Sequence, residues 1–184
     1  ISSGRKQKLF RSTNLYHWQY VGNFLANEIA DVVYGEDISC PNFSKLGGKR
    51  ILLCISHSFG CRYYIGDWDF SSEQFVPTHH HRLNWPTPGA DLVSTKNRDF
   101  FAPESLVTPD NRRVMWAWLR EKSICSLSIQ SLPREVSLLN DTQLAFNPLK
   151  ELQSLRFANQ SFSDITIIPE LVRHSGYDLY KVTE

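Results

Sequence analysis

The stretch Glu36-Asp37-Ile38-Ser39-Cys40-Pro41-Asn42-Phe43 gathers two carboxylates, a hydroxyl, a thiol and an amide within eight residues. A carboxyl group can deliver or accept a proton during a reaction. A serine hydroxyl cannot usefully protonate a departing alkoxide near neutral pH, because such work needs a pKa close to the operating value. If the stretch is extended, side chains alternate, so Asp37, Ser39 and Pro41 share one face while Glu36, Ile38 and Cys40 share the other. Asp37 then points into the space in front of Ser39. The run His79-His80-His81 invites a metal reading, but adjacent residues of an extended chain point to opposite sides and cannot all face one ion, so no metal and no cofactor are expected. The four cysteines (Cys40, Cys54, Cys61, Cys125) have no C-x-x-C spacing. That argues against zinc and redox motifs, and buried free thiols are the expectation, with a Cys54–Cys61 pairing as the alternative in an oxidising compartment.

Those residues need a scaffold, and composition allows one. The chain has 184 residues, 41% hydrophobic and 21% charged, which is ordinary for a globular protein with a substantial core. A formal charge of +1 gives no net field to recruit nucleic acid or an anionic membrane. The basic cluster Arg5, Lys6, Lys8 and Arg11 reads as a solvated face. No apolar run approaches the ~18 residues of a membrane span, and the opening ISSGRKQKLF has no apolar core of a signal peptide. Compartment and oligomeric state stay open.

Short apolar and aromatic runs separated by turn clusters dominate: RILLCISH, CRYYIGDW, RRVMWAWL, SDITIIPEL and YDLYKV. Gly47-Gly48 offers the positive φ of a tight hairpin turn, SFG separates the first two runs, and TPDNRR precedes VMWAWL. The pattern predicts an all-β meander. The segments CPNFSKLGGKRILLCIS and APESLVTPDNRRVMWAWL share one order of proline, strand, turn, basic pair and apolar strand, and their prolines, Pro41 and Pro103, lie 62 positions apart. This spacing suits a four-stranded propeller blade with a long inserted loop, placed at HHHRLNWPTPGADLVSTKN. Two unrelated hairpins are the alternative.

The order of motifs resembles glycoside hydrolase family 32, the invertases, inulinases and levanases. STNLYHWQYVGNF is similar to that family's S-x-D-L-x-x-W-x-x-x-G. SCPNF falls where the family has E-C-P-D-F, CRYYIGDWDFSSEQFVP matches Y-x-x-G-x-(F/W)-x-x-x-x-F-x-P, and DFFAPESL matches D-F-Y-A-P-x-(T/S)-(F/L). RRVMWAWL, SLPREVSL and NPLKELQSLR follow in family order. The resemblance implies a portion of a five-bladed β-propeller followed by the start of a β-sandwich. It implies a partial propeller over residues 1–147, from the end of blade two through blade five, and the sandwich opening at 148–184. It also implies retaining release of terminal fructosyl units from sucrose or a fructan oligosaccharide, in which one carboxylate attacks and another protonates the leaving oxygen. The family's nucleophile motif W-M-N-D-P-N-G and its R-D-P motif precede the point where this chain starts, so the expectation is a middle portion that does not turn over substrate alone.

Within that resemblance Ser39 occupies the position of the family acid/base, and Asp37 is the displaced acid/base candidate, with Glu36 reachable through a local twist. A shift of two residues along a strand moves a carboxylate by roughly 6 to 7 Å, more than a catalytic pair about 5 to 5.5 Å apart tolerates, so a bulge would have to recover the geometry. Asn42 stands where the family has aspartate and brings hydrogen bonds without charge. Cys40, Asn42, Phe101, Glu104 and Trp118 are the implied substrate-binding residues, with Trp116 on the face of Trp118 and Phe101 lacking the hydroxyl of the family's tyrosine. Each aromatic also has a plain reading as core. Leu127 to Ile129 replace the usual W-x-G, and Arg134 and Glu135 are expected to make a contact between blades. Two other readings remain beside the hydrolase: a carbohydrate-binding propeller without hydrolysis, and a protein-interaction propeller.

Overall fold

A computed structural model describes residues 7–29, 32, 36–83, 100–120, 128–158 and 163. Antiparallel strands fill it, with one short 3₁₀ helix at Lys150–Leu155. Strands β1 (Lys8–Arg11) and β2 (Gln19–Asn23) pair as a two-stranded ribbon. Strands β3 (Ser39–Leu46), β4 (Lys49–Ser56), β5 (Gly60–Asp69) and β6 (Gln74–Arg82) form a four-stranded meander in chain order. The third sheet opens with β7 (Phe100–Val107) and continues through β8 (Arg113–Arg120), β10 (Arg134–Asn140) and β11 (Gln143–Pro148). The short β9 (Ser128–Gln130) pairs with the far end of β8.

Residues Ile1–Leu149 make one compact unit and Lys150–Glu184 another. Most of the expected sandwich opening lies outside the described residues, as do Leu127, Cys125 and residues 84–97 of the expected inserted loop, whose opening is corrected: His79 to Arg82 continue a strand paired with its neighbour rather than a loop. Between Ser39 and Pro148 the described strands build two large sheets, β10 and β11 extending the sheet that β7 opens.

The turns follow their residues. Leu46 pairs with Lys49 across a two-residue turn in which Gly47 takes φ 55°, the left-handed conformation that costs glycine little. At the β7–β8 connection Asn111 takes φ 63°, and the Thr108 backbone N–H donates to the Arg112 carbonyl at 2.8 Å.

The β3–β6 sheet is covered on both faces. Ile51, Leu53, Ile55, Cys61, Tyr63 and Ile65 pack with Phe100, Phe101, Met115, Ala117 and Val136 of the β7 sheet. Leu52, Cys54 and Tyr64 point the other way, toward Phe24, Ile38 and Phe75. Two-sided burial explains why RILLCIS is a continuous apolar run rather than an alternating one. It also sends Cys54 and Cys61 to opposite faces, where both are buried free thiols. Gly66 belongs to this tightness: a Cβ there would lie 2.1 Å from the Val76 carbonyl oxygen, beside an irregularity in the β5–β6 register. The histidine run obeys alternation. His80 is buried and packs on Tyr64 with ring centroids 4.6 Å apart, while His79 and His81 stack at 6.5 Å on the other face.

Candidate functional site

Strands β3 and β7 are the first strands of their sheets and lie against one another. Both carry the same fault in the ladder. In β3, Ser39 faces Ile55 and Asn42 faces Leu53, so Cys40 and Pro41 together oppose Cys54. In β7, Phe101 faces Trp118 and Glu104 faces Trp116, so Ala102 and Pro103 together oppose Ala117. These are β-bulges, and in each the residue before the proline has φ 47°. The repeat read from two prolines is therefore a repeat of backbone geometry. Strict alternation fails at both places: the bulge returns Asn42 to the face of Ser39, and that face looks toward the β7 sheet.

The two bulges meet through their side chains. The Asn42 Nδ2 donates to Glu104 Oε2 at 2.7 Å, joining equivalent positions 62 residues apart. The Ser105 hydroxyl donates to Asn42 Oδ1 at 2.6 Å, and Arg113 Nη1 donates to that same Ser105 oxygen at 2.9 Å. Glu104 is exposed and borders a cavity of about 360 Å³ lined also by Ala102, Trp116, Trp118, Ile129 and Gln130. Trp118 is 38% exposed, whereas Phe101 is 8% exposed and packs edge-on to Trp118 with centroids 6.2 Å apart. Cys40 is exposed at the neighbouring bulge. Burial first, and the Glu104 charge second, push its thiol above the ordinary value.

The carboxylates ahead of Ser39 have other partners. Asp37 and Ser39 do share a space, since the Ser39 hydroxyl donates to Asp37 Oδ2 at 2.9 Å. That same oxygen lies 2.6 Å from His57 Nδ1, and Oδ1 accepts from the His57 backbone N–H at 2.7 Å. Burial pushes the Asp37 carboxyl up, but the His57 ring, the His57 N–H and the Ser39 hydroxyl together hold it below its ordinary 3.8. Such an environment favours a carboxylate that accepts hydrogen bonds over an acid that rests protonated. Glu36 is fully buried and accepts from Arg62 Nε at 2.8 Å and from His80 Nε2 at 2.9 Å. Burial again acts upward on its carboxyl, and His80 and Arg62 outweigh it, leaving the value below 4.5.

Sequence reasoning missed His57 and Gln130, since no spacing in SHSFG or SIQS announces a partner 20 residues away or a cavity wall. Arg134 and Glu135 find partners within their own sheet and its connection rather than between sheets. Arg134 lies over the Phe100 ring at 4.7 Å, and Glu135 lies 3.6 Å from Arg112. Among the described residues no cluster of His, Cys, Asp and Glu could hold a metal ion.

Two antiparallel sheets with bulged first strands, and a cavity on the β7–β8–β9 side of their contact, make this an all-β architecture. Residues 2–148 match the glycosyl hydrolases family 32 N-terminal domain, and the chain belongs to that family. It is 28% identical over 167 residues to a sucrose-6-phosphate hydrolase of Vibrio alginolyticus, covering 80% of this chain and 32% of that protein. It is 24% identical to a levanase of Bacillus subtilis, covering 99% of this chain and 29% of the levanase. Among solved structures it is similar in fold to the beta-fructofuranosidase BmSUC1 of Bombyx mori, with a TM-score of 0.64 and 23% identity over 86% of this chain and 36% of that one. The chain thus spans about a third of the length of the curated relatives it matches. The N-terminal domain of this family is a β-propeller, and the two meanders are sheets of that kind.

Proposed function

We propose that this chain is the middle portion of a β-fructofuranosidase-type glycoside hydrolase that releases terminal fructosyl units from sucrose or fructans with retention. In this reading the two sheets are consecutive blades of a five-bladed propeller, and the residues from 148 onward open a β-sandwich. The nucleophilic carboxylate comes from a segment outside these 184 residues. The observation that carries the reading is the meeting of the two bulges: Asn42 and Glu104 at 2.7 Å, beside Trp118 and a cavity of about 360 Å³. Aromatic faces stack on the apolar side of a sugar while amides and carboxylates bond its hydroxyls, and these are the groups at that junction. Cys40, Asn42, Phe101, Glu104 and Trp118 form the proposed wall, with Ser39 and Asp37 at its polar rim.

The test is fructose release from sucrose and inulin by the whole natural polypeptide that carries these residues. Release is expected within about pH 4 to 8, the range in which carboxyl acid/base chemistry operates, and its absence throughout that range overturns the hydrolase. A second reading, a propeller that binds fructans without cleaving them, is favoured by Ser39 and Asn42 standing where the family has two acids. It predicts fructan binding with no release of fructose.

A further inference from the structure

Three carboxylates surround the entry to β3, and they differ in what holds them. Glu36 is buried against Arg62 and His80, and Asp37 is bound by His57. Cationic or multiple donors keep a carboxylate ionised, the opposite of what a resting acid requires. Glu104 is exposed, borders the cavity with Trp116, Trp118 and Gln130, and its hydrogen bond among the described residues is with a neutral amide, Asn42. An amide donor fixes the direction of one carboxyl oxygen. Because the β3 bulge puts Asn42 on the face of Ser39, the Asn42–Glu104 bond brings this carboxyl to the side of the strand where the family's acid would stand. The β3 bulge itself supplies only Ser39 and Asn42, whereas the β7 bulge supplies Glu104.

We propose that Glu104 is the proton donor of this site, serving from the neighbouring strand in place of the acid that Ser39 lacks. The inference rests on the hydrolase reading above. In the first step the protonated Glu104 carboxyl gives its proton to the glycosidic oxygen. The bond from the anomeric carbon to that oxygen breaks, its electron pair stays with the oxygen, and a carboxylate nucleophile bonds to the anomeric carbon. In the second step the Glu104 carboxylate takes a proton from water, whose oxygen displaces the nucleophile.

The whole polypeptide carrying E104Q tests this, since glutamine keeps the shape and can still accept from Asn42. Sucrose hydrolysis is expected to fall at least about 100-fold. First-turnover release of nitrophenol from a nitrophenyl β-fructofuranoside, whose leaving group departs without protonation, should fall less than about tenfold. Thermal melting of E104Q should match the parent. An E104Q protein within about threefold of the parent on sucrose overturns the assignment alone, and so does a folded E104Q protein that loses both substrates equally. A parent that releases no fructose from either sucrose or inulin overturns the hydrolase and this assignment together.

Discussion

The bulge at Cys40–Pro41 and the bulge at Ala102–Pro103 have one backbone and two chemistries. Both put two residues against one, both set φ 47° before a proline, and both lie near the start of a first strand. The β3 copy presents a half-buried hydroxyl and amide, while the β7 copy presents a buried phenyl ring and an exposed carboxylate. The common backbone therefore serves as a mount, and the side chains at its two ends decide what each sheet contributes. Ser39 and Phe101 hold equivalent places, as do Asn42 and Glu104.

The sharpest way to break this equivalence is to remove the ends that differ most. Phe101→Ala should cost about 3 to 5 kcal/mol of stability, because a buried aromatic leaves a cavity. Ser39→Ala should cost about 1 kcal/mol, because Asp37 keeps its bonds to His57. Equal losses in urea unfolding would mean that the two places are not divided between core and polar rim. A smaller effect probes the point where the mounts touch. Asn42→Asp sets a second carboxylate against Glu104 and should cost about 1 to 2 kcal/mol, most of it recovered by adding Glu104→Gln. A double-mutant cycle by thermal melting measures that coupling, and additive losses would show that the contact at 2.7 Å carries no energy. The smallest effect concerns the backbone. Cys40→Gly and Ala102→Gly each relieve a left-handed residue and should gain about 0.5 kcal/mol, and a gain at one site with a loss at the other would end the equivalence.

Much of this frame was legible in the sequence. Short strands, the Gly47 turn, the alternating histidines and the spacing of Pro41 and Pro103 rest on local rules of period and turn chemistry, and the structure follows them. What local rules could not supply was the bulge. Alternation put Asp37, Ser39 and Pro41 on one face, but β3 begins at Ser39 and loses its period two residues later, because Cys40 and Pro41 together oppose Cys54. The partners of the carboxylates were equally hidden, since Arg62, His80 and His57 reach Glu36 and Asp37 only when β4, β5 and β6 have paired. Glu104 was visible as a polar residue in a repeat, and only the folded contact with Asn42 set it apart from the other acids.

The buried group of Glu36, Arg62 and His80 bears on how acid affects the chain. The Glu36 carboxyl is held below 4.5, so its contribution to folding is complete above that pH and is lost only as the pH falls through the lower folded value. Mild acidity, the condition under which carboxyl groups begin to pick up protons, thus leaves the joint that leads into Ser39 fastened. The footing of the wall gives way later on the acid side than an ordinary glutamate would.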